Sequence, residues 1–353
     1  MKPEGEKEYS FSGKRSNLLF IVLIIGLTLA YAIDFGEIKQ LPSIYMRVNK
    51  IYVAAAMATM LLFFCCQSII VNRLLHAFGY APTQRQTYRY TLIDYYFSSI
   101  TPGASGGQPS EIFFMRRDGI PIGVSSLVML IFNGLYHLGV IIVIAFSSFG
   151  YLHQILGKQP LYYGLFMFGM AVQVLLVVAF FFLIFSKHMV FRLAGVVVAI
   201  IGHFSEKKAR SIEVKIKRVL QEYRTGAKWL RQNVGVVIRL IPVAVIHIFL
   251  YYTMTFWISR AFGIHYGTLR ELVAYQGVFT MTFESLPLPG GVGLAEAGFL
   301  RLFQPIYGPH FLTAAMLLTR GVTYYNFLIL GGMVTFYSNR KRRSLMKNSE
   351  NKR

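Results

Sequence analysis

Residues 101–111 (TPGASGGQPSE) and 286–296 (LPLPGGVGLAE) follow the same pattern, and the interpretation of the whole chain depends on them. Each is a break rich in proline and glycine that ends in one carboxylate, and each follows an apolar run too short or too polar to cross a bilayer. Five residues after each glutamate comes an arginine, Arg116 in the first copy and Arg301 in the second. A bilayer tolerates broken backbone only where protein buries it or where it lines a polar cavity. Two such breaks in corresponding halves of a chain are typical of the substrate site of a transporter.

The composition is that of a polytopic membrane protein. Of 353 residues, 55% are hydrophobic and 15% aromatic, which is unlike a soluble domain. The net charge is +21, but the basic residues lie between apolar runs and at the C-terminal end, and no nucleic-acid-binding module is recognisable. We therefore expect no nucleic-acid partner and attribute the charge to membrane orientation and to contact with anionic lipid headgroups. The only cysteines, Cys65 and Cys66, are adjacent in an apolar run, which indicates core packing.

Six apolar runs approach the roughly 20 residues that a membrane crossing needs. They are residues 18–33, 51–71, 122–146, 161–185, 236–257 and 311–337. The first break lies between the second and third runs, and the second break between the fifth and sixth. The predicted fold is an all-α polytopic membrane protein with about six full transmembrane helices and two re-entrant helical hairpins, near residues 88–117 and 269–301.

The distribution of Lys and Arg predicts the orientation of the chain. The segment 187–231 has 11 basic and 3 acidic residues, and the tail from residue 339 has 7 basic and 1 acidic. Six spans place both of these and the N-terminus in the cytoplasm, with the protein in the plasma membrane. The order span, span, hairpin, span then occurs twice with opposite orientation, as an inverted-topology repeat. The predicted parts are a tail (1–17), two membrane repeats (18–147 and 148–338) and a basic tail (339–353).

The basic segment 187–234 joins the two repeats. Its residues 211–233 have apolar side chains every three or four positions among basic ones, which predicts an amphipathic helix. This helix lies either on the inner membrane surface or against the protein's own cytoplasmic face, and the sequence is compatible with both. Residues 189–204 are either interfacial or one more crossing, which would invert everything after them.

The breaks have a mechanical role, because glycine permits positive φ and close backbone approach while proline ends helices. The residues concerned are Pro102, Gly103, Gly106, Gly107, Pro109, Pro287, Pro289, Gly290, Gly291 and Gly293. Helices that restart after the breaks would aim their N-terminal N–H groups into the membrane, where an anion such as a lipid phosphate can bind. The alternative is a pair of structural turns in a packed bundle.

Glu111 and Glu296 are the ionisable residues most expected at depth, where a carboxylate is costly unless it is paired or protonated. They could bind a cationic headgroup, carry a coupling proton, pair with an arginine, or form a salt bridge that locks a hairpin to the bundle. The arginine candidates are Arg116, Arg117, Arg301 and Arg320. Arg320 lies near the middle of the last span, and its planar guanidinium suits phosphate, although it could instead only neutralise one of the two glutamates.

Four further residues are secondary candidates: Asp94, Asn133, His137 and Glu284. The chain has no Walker loop, dinucleotide fingerprint, Gly-x-Ser-x-Gly elbow or His/Cys cluster of metal-binding spacing. We therefore expect no catalytic residue, metal or cofactor. Transport driven by an ion gradient and downhill movement are both compatible with the sequence.

Three motifs together resemble a known family: residues 101–109 with Arg116-Arg117-Asp118-Gly119, residues 286–298, and Thr319-Arg320 with Tyr324-Tyr325. The family is the membrane, flippase-like domain of the lysylphosphatidylglycerol synthase/flippases, and the resemblance extends over residues 18–337. It implies movement of phosphate-headed lipids, such as phosphatidylglycerol or its lysyl ester, between leaflets. Bifunctional members also carry a cytoplasmic domain that transfers an aminoacyl group from tRNA. Because this chain ends at Arg353, we expect a stand-alone member without that domain, so that lysyltransferase activity is implied by the family name alone.

Three functions follow as hypotheses. A lipid translocase needs Glu and Arg in a cavity that reaches both leaflets, and the inverted placement of the breaks favours it. A membrane enzyme or component of lipid aminoacylation or glycolipid assembly needs a clustered acid/base set at one interface. A scaffold for a synthase partner needs neither. The expected partners are a membrane phospholipid substrate, anionic headgroups, a separate lipid synthase and a second copy in a homodimer.

Overall fold

A computed structural model describes residues 41–101, 104–157, 159–185, 192, 195, 206–284 and 294–350. Within these residues the chain forms helices and no strands, which confirms the predicted all-helical class. The first predicted span, 18–33, lies outside them, as does most of 189–204.

The α-helices are, in chain order, α1 Leu41–Arg47, α2 Lys50–Ala77, α3 Gln84–Ser99, α4 Gly107–Arg117, α5 Ile122–Ser148, α6 Leu152–Leu156, α7 Pro160–Phe185, α8 Glu206–Gln232, α9 Val234–Tyr252, α10 Met254–Ala261, α11 Leu269–Phe279, α12 Leu294–Leu302, α13 Gln304–Arg320 and α14 Asn326–Glu350. Two π-helical turns interrupt the second half. The first π turn, Thr280–Glu284, continues α11, and the second π turn, Gly321–Tyr325, joins α13 to α14.

Four stretches of the described helices are long and apolar enough to cross a membrane: α2, α5, α7, and α9 together with α10. They coincide with the second to fifth predicted spans. The sixth, 311–337, is divided among α13, the second π turn and α14. Helix α7 leaves large apolar side chains exposed along its length, among them Phe168, Leu175 and Phe181. A stripe of this kind is typical of a helix that faces lipid.

Helices α2 and α9–α10 pack against each other as an antiparallel pair. The N–H of Asn49, at the start of α2, donates to the carbonyl of Ala261, at the end of α10, over 2.9 Å. Halfway along, Nδ1 of His247 lies 2.8 Å from the carbonyl of Phe63, and the two rings stack. Helix α2 directly precedes α3, and α9–α10 directly precedes α11, so the helix before each hairpin runs opposite to the other.

Helix α8 docks on the protein, as one of the two sequence alternatives proposed. A carboxylate oxygen of Glu222 accepts the N–H of Gly123 at the start of α5, over 3.1 Å. The hydroxyl of Tyr223 donates to the carbonyl of Leu183 in α7, and burial raises the pKa of this phenol to about 12, although the charge of Arg231 acts in the opposite direction. The apolar seam of α8 is therefore used against α5 and α7.

Candidate functional site

The first break joins α3 and α4 into a helical hairpin. Helix α3 begins with a capping box between Thr83 and Gln86 and has 16 residues, and α4 has 11. These helices are about 24 Å and 16 Å long, whereas the hydrocarbon core of a bilayer is about 30 Å thick, so neither can cross it. At the open end of the hairpin, Asp118 accepts hydrogen bonds from both Arg89 and the hydroxyl of Tyr90, which ties the end of α4 to the start of α3.

Thr101 organises the closed end of this hairpin. Its hydroxyl donates to the carbonyl of Phe97 over 2.6 Å and accepts the N–H of Gly106 over 2.9 Å, so one side chain holds both sides of the break. Helix α4 then starts at Gly107, where a Cβ atom would lie 2.4 Å from Oδ1 of Asp94. Only glycine permits this approach. Pro102 and Gly103 lie outside the described residues.

The second hairpin is built in the same way from α11, the first π turn and α12. Helix α11 begins at a threonine cap, Thr268, and with the π turn it has 16 residues, while α12 has 9. The two arms pack face to face, because a Cβ at Gly298 would lie 2.4 Å from the ring of Phe283. The break itself, with Pro287, Pro289, Gly290, Gly291 and Gly293, lies outside the described residues.

The two hairpins open towards opposite ends of α5. The open end of the first lies where α5 begins, next to the docking site of α8, and there Arg117 also reaches Asn339 of α14 over 2.6 Å. The open end of the second lies where α5 finishes, because Arg270 donates to the carbonyl of Phe149 over 3.0 Å. The basic segments of the chain, α8 and the end of α14, are therefore grouped at the open end of the first hairpin.

The second π turn is the point where both hairpins meet. From the first hairpin, the hydroxyl of Tyr95 donates to the carbonyl of Thr323, and the carbonyl of Ser99 accepts the hydroxyl of Tyr324 over 2.7 Å. From the second, Glu296 pairs with Arg320, which directly precedes the turn. Turns of this kind leave backbone groups outside the regular helical pattern and are frequent at functional sites. We call this meeting point the junction.

The Arg320–Glu296 ion pair spans 2.9 Å between Nη2 and Oε1. The side chain of Glu296 is 1% exposed and that of Arg320 19% exposed. The pair lies in the wall of a cavity of about 30 Å³, which is room for roughly two water molecules. The cavity is lined by Tyr251, Met254, Gln276, Phe279, Glu296, Phe299, Met316, Thr319, Arg320 and Thr323.

Glu111 occupies the corresponding position in the first hairpin and has different surroundings. Its side chain is fully buried, and no donor among the described residues reaches either carboxylate oxygen. The charged group that acts on it is Asp94 of α3, itself held by the amide of Gln67 over 3.2 Å and by Ser98. The first hairpin therefore buries two acidic groups, whereas the buried acid of the second hairpin pairs with a base at the end of α13.

The structure does not bring Arg116 or Arg301 to the glutamates. Both side chains are exposed, because residues five apart on an α-helix point about 140° away from each other. Arg117 stacks on the ring of Phe114, away from Glu111. Of the glycines and prolines in the first break, Gly106 is half-buried, while Pro109 is exposed on the first turn of α4.

The secondary candidates are spread over the first half of the fold and the second break. Asn133 accepts a hydrogen bond from Gln108 of α4 over 2.8 Å, and His137 contacts Gln173 of α7. Asp94 lies beside Glu111. Glu284 ends the first π turn, and its side chain lies outside the described part of the structure.

Sequence reasoning missed the polar residues that connect the elements. Tyr95 and Tyr324 carry the hydrogen bonds of the junction, and Thr101 holds the first break. His247 of α9, stacked on Phe63 of α2, is a buried histidine inside an apolar span. Such a residue is rare enough in a span to have been a signal. In the described residues no group of three or more His, Cys, Asp or Glu side chains could hold a metal ion.

Comparison with known proteins agrees with this architecture. The family described as lysylphosphatidylglycerol synthase TM region matches residues 17–331. A UPF0104 membrane protein of Archaeoglobus fulgidus is 21% identical over 346 residues, which cover 91% of this chain and 96% of that protein. No solved structure matches the chain. Since the family match extends over most of its length, the chain belongs to the lysylphosphatidylglycerol synthase TM region family.

Proposed function

We propose that this protein is a lipid translocase that moves a phosphate-headed lipid, such as phosphatidylglycerol or its lysyl ester, between the leaflets of the plasma membrane. The observation that carries the proposal is the buried Arg320–Glu296 pair at the junction of two oppositely directed hairpins. Charged side chains at such depth are costly and in membrane proteins usually mark the path of a substrate or ion.

The architecture supports a site that can be reached from either side in turn. The hairpins have arms too short to cross a bilayer and open towards opposite ends of α5, and their partner helices α2 and α9–α10 run antiparallel. An inverted repeat of re-entrant hairpins explains these three features together. With the basic end in the cytoplasm, the first hairpin enters from inside and the second from outside.

The chemistry of the pair fits a lipid headgroup. The guanidinium of Arg320 can bind a phosphate diester through two parallel N–H donors. If phosphate takes Arg320, Glu296 loses this arginine as a partner, and an ammonium group can take its place. A lysyl ester of phosphatidylglycerol carries both a phosphate and ammonium groups, so the ion pair offers one partner for each.

The described residues leave no room for a lipid headgroup at the junction. A cavity of about 30 Å³ holds water but no lipid headgroup, so entry requires one hairpin to move away from the last helix. The hydrogen bonds of Tyr95 and Tyr324 to backbone carbonyls are the contacts that such a movement would break on the side of the first hairpin.

Leaflet exchange in liposomes tests the proposal. Purified protein is reconstituted with fluorescent phosphatidylglycerol or its lysyl ester, and a membrane-impermeant quencher measures the fraction that changes leaflet. We expect exchange by the wild type and a loss of at least about tenfold in Arg320→Lys, because lysine keeps the charge but not the two-donor fork.

Gly164→Ala is the matched control, since Gly164 of α7 has open space around it and lies away from the junction. It should exchange lipid at the wild-type rate. Absence of exchange by folded wild-type protein with both lipids would contradict the proposal and favour the scaffold hypothesis, which capture of a synthase partner would then examine.

A further inference from the structure

We propose that Asp94 and Glu111 form a proton-binding site in the first hairpin, at which the two carboxyl groups share one proton in the closed conformation. Its existence is independent of the proposed function, and only its use in coupling to transport rests on it.

The carboxyl group of Glu111 is buried. Glu111 is 0% exposed, and neither of its oxygens has a hydrogen-bond donor among the described residues. A carboxylate in this setting has lost its hydration and gained nothing in return, which costs several kcal/mol or more. Protonation removes the charge and therefore most of that cost.

A second acid, Asp94, lies beside Glu111. Asp94 acts on Glu111 electrostatically, and two carboxylates that share a site cannot both ionise without mutual repulsion. Asp94, unlike Glu111, receives hydrogen bonds: Gln67 donates to its Oδ2 over 3.2 Å, and Ser98 also hydrogen bonds to it. Asp94 is therefore the member better suited to carry the charge, and Glu111 the member better suited to hold the proton.

Helix α4 begins beside Asp94. Gly107, the first residue of α4, approaches Asp94 so closely that its missing Cβ would lie 2.4 Å from Oδ1. The N-terminal end of a helix carries a partial positive charge, which stabilises an anion placed there. The turn that closes the first hairpin thus supports an ionised Asp94 as well.

Among the described residues, the groups that hydrogen bond to Asp94 are neutral: Gln67 of α2 and Ser98 of its own helix. Two neutral contacts lie further along the hairpin: Gln108 of α4 binds Asn133 of α5, and the hydroxyl of Tyr324 binds the carbonyl of Ser99. His137 of α5, one turn beyond Asn133, is directed to Gln173 of α7.

The basic residues nearest along α4 are Arg116 and Arg117. Arg116 is exposed, and Arg117 lies over Phe114 and donates to Asn339 at the open end of the hairpin. In the described part of the chain, Asp94 is thus the charged group that acts on Glu111. Arg320 of α13 neutralises the buried Glu296 of the second hairpin. In the first hairpin, a proton can neutralise Glu111.

Infrared spectroscopy of the full-length protein in liposomes tests the site without any transport assay. A protonated carboxyl group has a C=O stretching band well separated from carboxylate bands, and the band shifts in D₂O. At neutral pH we expect such a band in the wild type and its loss in Glu111→Gln. Asp118→Asn, which removes a partly exposed acid at the open end of the hairpin, should leave the band unchanged.

Asp94→Asn provides the second variant. The band should persist in it but disappear at a lower pH than in the wild type, because the neighbouring negative charge that favours protonation is gone. A wild-type protein without a Glu111-dependent band at neutral pH would overturn the proposal. Sodium-dependent spectral changes at Glu111 in place of the band would also overturn it, since the site would then hold a metal cation.

The outcome is separable from that of the proposed function. If the infrared band is present but lipid exchange is absent, the proton site stands and the translocase proposal fails. If exchange occurs without the band, the translocase proposal stands and the proton site fails. If both hold, exchange by the wild type should vary with pH, and in Glu111→Gln this variation should be lost.

Discussion

At the scale of single residues, the proposed function depends on which arginine neutralises which glutamate. The repeated spacing in the two breaks made Arg116 and Arg301 candidates for pairing with the glutamates, alongside Arg117 and Arg320, but Arg116 and Arg301 are exposed. A five-residue interval on an α-helix cannot place two side chains on one face, so helical geometry alone argues against those pairs. Arg320 was recognised as an arginine inside an apolar run. Arg320 pairs with Glu296 and not with Glu111 because of how the last helix packs against the hairpins, and residue spacing does not determine that packing.

The ion pair makes a prediction about stability. Glu296→Gln keeps the shape of the side chain but leaves Arg320 charged and largely buried, and we expect a loss of about 3 kcal/mol in the free energy of unfolding. Adding Arg320→Met should restore much of this loss, because no buried charge then remains. Thermal unfolding in detergent measures both variants. A single variant as stable as the wild type would mean that the two side chains do not form a buried pair.

At the scale of elements, proline, glycine and helix length predicted the two hairpins, because arms of 16 residues or fewer cannot cross a bilayer. The position of α8 was less predictable, since an apolar seam serves equally well against lipid or protein. The decisive features are local. Gly123 and Gly226 allow α8 to approach α5 to a distance at which any Cβ would overlap Glu222 or Leu127.

The turn of the first hairpin depends on Gly107. In Gly107→Ala the new methyl group would lie 2.0 Å from Oγ of Ser98 and 2.8 Å from the carbonyl of Asp94, and backbone cannot move aside cheaply. Overpacking of this kind destabilises by about 1–3 kcal/mol. Gly164→Ala, made in open space on α7, is the control and should have no such effect. Equal thermal stabilities of the two variants would show that the hairpin is not closely packed at this point.

At the scale of the whole molecule, the order of spans and breaks predicted two halves of opposite orientation, which stays a prediction. In the structure, α2 and α9–α10 run antiparallel. The sequence did not indicate that a helix of each half packs against the hairpin of the other half. Helix α5 of the first half packs against the second hairpin, and α14 of the second half packs against the first. A hairpin that moved would therefore move against a helix of the other half.

A disulfide between the first hairpin and the last helix tests directly whether transport requires their separation. A Cβ at Gly331 would lie 2.9 Å from the Cβ of Tyr96 and 2.6 Å from the carbonyl oxygen of Leu92. A disulfide between these positions therefore requires α14 to move away from α3 until the two Cβ atoms are roughly 3.8 Å apart, and the Gly331→Cys single variant measures the cost of that shift. Tyr96→Cys/Gly331→Cys is made in a protein whose two native cysteines, Cys65 and Cys66, are replaced by alanine. Each single-cysteine variant, oxidised in the same way, serves as a control.

The measurement is leaflet exchange of phosphatidylglycerol and its lysyl ester by the double-cysteine protein in liposomes, before and after reduction. We expect that exchange by the oxidised protein falls to the level of protein-free liposomes and returns on reduction, while both single-cysteine controls stay active throughout. Full exchange by protein that is completely disulfide-bonded would contradict it, because lipid would then pass without the hairpin leaving the last helix.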